Sequence, residues 1–271
     1  MGGRVGGVTN ELRSAQWYSG DDRNAYIHRA WMRRGVPGNA FEQPQIAIAN
    51  TASDLTPCNA HLSEVARAVR DGVLAAGGTP LELPVVSLGE TQVRPTAMLW
   101  RNLAAMSMEE MFRANPIDGL VLLGGCDKTI PSLLMAAASV DLPAVVVPGG
   151  PMLTGTFKGV ALGCGTDVWR LSEEVRAGTL SAEDFTRSES SMIRSRGHCN
   201  TMGTASTMGL LAEALDLLGP QRIADLAEQR GQAETPDGGE ARAGRGWRAG
   251  AVPRRGGSAA DHHGAEVRPK P

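Results

Sequence analysis

The chain has 271 residues, an apolar fraction of 42% and a formal net charge of −2. That supplies core material for one or two domains, and it exerts no long-range pull on nucleic acid or an anionic membrane. The first ten residues hold no apolar signal core, and no apolar run approaches the ~20 residues that cross a bilayer, so the sequence points to the cytoplasm.

The pattern along the chain alternates strand and helix. Residues 45–49 form a short apolar run of the kind that becomes a buried parallel strand, and 60–76 places Leu62, Val65, Ala66, Val69 and Val73 on one helical stripe. A second strand is expected over 83–88, and an Ala-, Met- and Leu-rich helix over 95–114. Further strands follow at 119–123 and 144–147. Helices follow at 166–177, at 181–193 behind a Ser181 cap, and at 204–218 before Gly219 and Pro220. Strands alternating with helices predict an α/β fold with a parallel sheet flanked by helices.

The character changes at residue 229. Residues 229–271 contain no Leu, Ile, Phe or Met and are rich in Gly, Arg and Pro. Such a stretch cannot bury enough apolar surface to offset its ordering entropy, so a disordered tail is expected behind a 1–228 domain. Acids and His are mixed among its basic residues, which favours an out-of-frame or truncated extension over an RNA-binding tail.

In a parallel α/β sheet, ligands bind beyond the carboxyl ends of the strands. The first strand runs out toward Cys58 and His61, the second toward Glu90, and the third toward Cys126, Asp127 and Lys128. A fourth loop offers His198 and Cys199 just before a helix, whose first amides face outward to an anion or substrate. Thiolates select iron–sulfur clusters, zinc or copper(I), whereas carboxylates select Mg²⁺ or Mn²⁺. One rim offering both suggests two neighbouring centres of different hardness. No CxxC pair is present, and a buried thiol is also simply a small hydrophobe.

Several strings are more specific: residues 50–61, 87–98, 125–131, 149–152, 165–169 and 194–206. In that order they resemble the dihydroxy-acid/sugar-acid dehydratase family, from about Arg13 to about Leu218, and within it the aldonate (arabinonate-type) members. The resemblance implies Cys58, Cys126 and Cys199 as ligands of an iron–sulfur cluster, with [2Fe–2S] favoured and [4Fe–4S] open. It implies Glu90, Asp127 and a carbamylated Lys128 as ligands of Mg²⁺. His61 and His198 are candidates to tune the cluster or touch substrate, or else structural histidines; Arg94 is a candidate partner for a substrate carboxylate, or else a helix-start arginine. Cys164 falls outside the implied set and reads as a bystander.

The implied reaction is loss of water from a 2,3-dihydroxy sugar acid to give a 2-keto-3-deoxy acid, with no nucleic-acid or membrane partner. Two alternatives stand beside it: the dihydroxy-acid dehydratase of branched-chain amino-acid synthesis, and an inactive metal-binding remnant. In the family the proton-abstracting base, a serine, comes from a C-terminal domain that nothing here resembles. The expectation is therefore no catalytic base within the chain and little activity from it alone. Full-length relatives are expected to be homo-oligomers.

Overall fold

The computed structural model describes residues 12–33 and 39–215; the segment read as a tail and the end of the helix expected over 204–218 lie outside the described residues. Two helices come first, α1 (Ala15–Tyr18) and α2 (Arg23–Met32), the latter capped by Asp22, whose carboxylate accepts the Ala25 amide at 2.8 Å. Neither was expected from the pattern, which holds no continuous apolar stripe in that stretch.

The centre is a four-stranded sheet of β1 (Gln45–Asn50), β2 (Thr79–Pro84), β3 (Gly119–Gly124) and β4 (Ala144–Pro148). Its order is β2-β1-β3-β4 and every pairing is parallel. The connecting helices are α3 (Leu62–Ala75), α4 (Arg101–Ala114) and α5 (Thr129–Val140). The expected α/β fold with a helix-flanked parallel sheet is the fold observed.

Two element boundaries differ from expectation. β2 begins at Thr79 and ends at Pro84, upstream of the apolar run at 83–88. Its register pairs Gln45 with Thr79 and Asn50 with Pro84, so the strand ends where β1 stops offering partners. Pro80 and Pro84 are tolerated because β2 lies at the sheet edge. Leu83, Val85 and Leu88 still pack on the core, but the last two do so from a loop. α5 was not expected at all. Pro131 masks it in the sequence, yet a proline in the first turn removes an amide that has no helical partner anyway.

The core lies on both faces of the sheet because side chains alternate along each strand. Leu120 and Leu122 of β3 face Met108 and Phe112 of α4 and Leu133 of α5. Val121 and Leu123 face the other way, onto Leu62 and Ala66 of α3. Each such buried aliphatic contributes about 1.5–3 kcal/mol.

Beyond β4 the chain makes an excursion: the hairpin β5 (Gly155–Phe157) and β6 (Val160–Leu162), then α6 (Thr166–Arg176) and α7 (Ala182–Met192). This excursion has a small core of its own, formed by Leu162, Leu171, Leu180 and Met192. α8 (Thr204–Ala214) returns to the sheet and places Ala212 in the main core.

Candidate metal centre

The carboxyl ends of β1, β2, β3 and β4 open on one rim, and the loops that leave them hold the candidate residues. β1 exits into a 3₁₀ turn at Pro57–Asn59, which presents Cys58. β3 exits directly into Cys126, Asp127 and Lys128, the last standing at the start of α5. β4 exits at Gly149 and Gly150. There Pro151 bridges in parallel to His198, with the His198 amide donating to the Gly150 carbonyl and the Met152 amide to that of His198, both at 2.9 Å. This main-chain ladder carries Cys199 to the rim even though it is distant in sequence.

Asn59 holds the loops together and is wholly buried. Its amide nitrogen donates to the hydroxyls of Thr51 at 3.1 Å, Ser87 at 3.0 Å and Thr129 at 3.4 Å, and its oxygen accepts the Gly125 amide at 2.9 Å. The exits of β1, β2 and β3 thus meet on one side chain. The backbones there are close enough that a Cβ on Gly125 would lie 2.6 Å from the Cys58 carbonyl oxygen. The role of Asn59 was not read from the sequence, although the residue falls inside a quoted string.

The four thiols form one group. Cys58 lies near enough to Cys126 and Cys199, and Cys199 near enough to Cys164, for the thiols to shift one another's protonation. Cys58 and Cys126 are buried, whereas Cys164 and Cys199 are half-buried. Sharing its proton with Cys126 and Cys199 pushes the Cys58 thiol far up. Hydrogen bonds from Cys164 and Cys58, aided by the nearby His198, pull Cys199 down to about 3. Cys126 is lowered chiefly by Cys58. Cys164, read as a bystander in the sequence, is thus tied to the Cys199 loop through Asn200 and is near enough to Cys199 to shift its protonation.

The carboxylate group adjoins the sulfur group. The Cys126 sulfur lies 3.2 Å from Asp127 Oδ1, while Asp127 Oδ2 accepts from Lys128 Nζ at 2.6 Å. Lys128 Nζ is also 3.4 Å from Glu90 Oε2. Burial works to lower the Lys128 pKa, but Asp127 and then Glu90 outweigh it and hold the ammonium above its ordinary value. Glu90 is held below the usual carboxylate range by the Thr96 hydroxyl first, then by the Ala97 amide at 3.1 Å and by Lys128.

The other expected residues are placed as follows. His61 is buried at the start of α3, with Nε2 donating to the Gly149 carbonyl at 3.0 Å. A Cβ on Gly149 would lie 2.9 Å from the His61 ring, so the backbone there passes close to the ring. His198 is buried and its Nδ1 donates to the Cys199 carbonyl at 2.9 Å. Arg94 is exposed, at the start of a cis peptide bond with Pro95.

The donor types on this rim, thiols beside carboxylates, are those that a soft iron–sulfur centre and a hard cation would use. Among the described residues no three His, Cys, Asp or Glu side chains converge on one point as a single ion would require. A cluster spreads its thiolate ligands over more than one iron, so it does not require that single point of convergence. The Lys128 ammonium occupies the place between two carboxylates where a hard cation would balance the same charge.

The fold and rim define a class: a parallel α/β domain whose strand ends set a thiol group against a carboxylate group. The chain belongs to the dihydroxy-acid/6-phosphogluconate dehydratase family, whose N-terminal domain it matches over residues 43–238. It is 56% identical over 209 residues to an L-arabinonate dehydratase of Rhizobium leguminosarum bv. trifolii, a match over 76% of this chain and 36% of that one. To an L-arabonate dehydratase of Azospirillum brasilense it is 53% identical over 215 residues, 79% of this chain and 37% of the relative. A dihydroxy-acid dehydratase of Methanothermobacter thermautotrophicus is 39% identical over 196 residues, 70% and 36% of the two chains. The chain thus spans little more than a third of the length of these relatives. The family match also runs past residue 229, into the segment read as a tail. Among the described residues no helix is long and apolar enough to cross a membrane.

Proposed function

We propose that this domain holds an iron–sulfur cluster on Cys58, Cys126 and Cys199 beside Mg²⁺ on Glu90, Asp127 and a carbamylated Lys128. On this reading it is the metal-binding part of a hydro-lyase that converts a sugar acid to its 2-keto-3-deoxy product. One observation carries the proposal: the Cys126 sulfur lies 3.2 Å from Asp127 Oδ1, and the neighbouring Gly125 packs against the Cys58 backbone, so the thiol and carboxylate residues adjoin on one rim. When bound, the two centres supply Lewis acidity, one to the leaving hydroxyl and the other to the carboxylate end of the substrate.

The chain's own residues prepare that site. Asn59 fixes the relative position of three strand exits, so the ligands need little reorganisation. The Cys199 loop is held by the main-chain pairing with Gly150 and Met152. Lys128 Nζ stands 2.6 Å from Asp127 Oδ2 and 3.4 Å from Glu90 Oε2, so a carbamate on that nitrogen would join the same carboxylate group. His61 and His198 hold backbone carbonyls at the rim and thereby orient the loops bearing the thiols. The proton-abstracting base is expected outside this ligand set.

The higher identity to arabinonate dehydratases than to the dihydroxy-acid dehydratase favours a sugar acid over a branched-chain dihydroxy acid as substrate. The test is to replace Cys126 by Ser and measure iron and sulfide bound after anaerobic reconstitution. A marked loss of both is expected, whereas full retention would overturn the cluster assignment.

A further inference from the structure

Cys164 is the one thiol that the proposed ligand set leaves unused, yet its surroundings are built. Its backbone amide donates to Asn200 Oδ1 at 2.9 Å, and Asn200 Nδ2 donates to the Leu162 carbonyl at 2.9 Å. The end of β6 is therefore fastened on both sides to the residue that follows Cys199. The Cys164 backbone is thereby held beside the Cys199 loop, and the two thiols are near enough for each to shift the other's protonation.

We propose that Cys164 and Cys199 are a reversible disulfide pair, formed by a small-molecule disulfide when the cluster is absent. Three observations favour this pair over the neighbouring contacts of Cys58. Cys164 and Cys199 are half-buried and within reach of an external reagent, whereas Cys58 and Cys126 are buried. Cys58 is fixed beneath the Asn59 network, with no slack for the backbone to move. Cys164 is followed by Gly165, where a Cβ would meet nothing within 4 Å, so the chain on that side has room to adjust toward a bond, while at Gly163 a Cβ would lie 2.6 Å from the Thr166 hydroxyl oxygen.

The chemistry balances as two exchanges. The Cys199 sulfur attacks one sulfur of glutathione disulfide. The S–S bond breaks, and one glutathione leaves with the proton that Cys199 gives up. The Cys164 sulfur then attacks the Cys199 sulfur of the mixed disulfide. The second glutathione leaves with the Cys164 proton. Two protein thiols have lost two electrons and two protons, and one glutathione disulfide has become two thiols. If Cys199 is a cluster ligand, a consequence that rests on the function proposed above, the disulfide withdraws it and blocks cluster uptake until a thiol reductant restores it.

The test uses the full chain, freed of iron by chelation and treated anaerobically with glutathione disulfide. Free thiols are then alkylated and the digest is mapped by mass spectrometry without reduction. The expected result is a dominant Cys164–Cys199 crosslink that dithiothreitol reverses. In Cys164→Ser the expected result is a persistent glutathione adduct on Cys199. A dominant Cys58–Cys199 or Cys58–Cys126 link, adducts without a crosslink, or four alkylated thiols would each overturn the proposal. Iron and sulfide uptake separates the two readings: the oxidised chain is expected to fall to the level of Cys199→Ser. A disulfide that forms without lowering uptake upholds the pair and removes Cys199 from the ligand set.

Discussion

Asn59 shows how much of the rim depends on one neutral side chain. Its four polar contacts reach Thr51, Ser87, Gly125 and Thr129, on three different strand exits. Asn59→Ala leaves the buried Gly125 amide without its acceptor and three hydroxyls without a donor, a loss of about 2–3 kcal/mol in chemical denaturation. Bound iron is expected to fall with it. Gly125→Ala tests the same place by crowding: the added methyl meets the Cys58 carbonyl, and the backbone must move apart at a cost of about 1–3 kcal/mol, read as a lowered unfolding midpoint. The candidate ligands were singled out in the sequence by their place at strand ends together with the strings that resemble the family. Asn59 was not, since its meaning lies in partners up to 70 residues away and an asparagine in a loop ordinarily reads as turn chemistry.

Among the elements, the strands with uniformly apolar sequences, β1, β3 and β4, were legible almost to the residue. β2 was displaced because Thr79 to Pro84 alternates under the rules of an edge strand, while the more apolar residues after it belong to a packed loop. α5 was hidden by Pro131 and by an apolar surface with no polar stripe to mark its period. α6 carries a measurable electrostatic device at its start. The Asp167 carboxylate accepts the Gly163 amide at 2.6 Å and binds Arg170 at 2.7 Å; the amide first and then the guanidinium hold its pKa below the ordinary value. A depressed carboxylate stabilises the fold at pH above its unfolded value of about 3.9, and that contribution is lost as pH falls through the folded value. Asp167→Asn is therefore expected to be less stable than the parent at neutral pH. The gap should close below about pH 4 when unfolding free energies are compared across pH.

At the scale of the molecule, the N-terminal helices are tied to the sheet by Asp118, just before β3. Its carboxylate accepts the Ser14 amide at 2.8 Å and hydroxyl at 2.6 Å, and the Gln45 amide at 2.7 Å. Arg13 adds bonds to the carbonyls of Asn115 at 2.7 Å and Ile117 at 3.0 Å. Asp118→Ala strands donors in two residues that are almost wholly buried, Ser14 and Gln45, so a loss of about 3 kcal/mol is expected. Faster hydrogen exchange over residues 12–32 is the check that the loss is local. The layered plan was legible because strand and helix periods alternate along the sequence; this attachment was not, because it depends on hydrogen bonds spanning about a hundred residues.

The pairing of Pro151 with His198 splits the domain into a frame and an appendage. Because the third cysteine is registered by main-chain contacts at the root of the excursion and by the tie from Asn200 to the end of β6, the helices beyond that tie can change shape without disturbing where that sulfur arrives. Variation in α6 and α7 should therefore be far better tolerated than any change of equal size in the turns that leave the sheet or at residues 162–164.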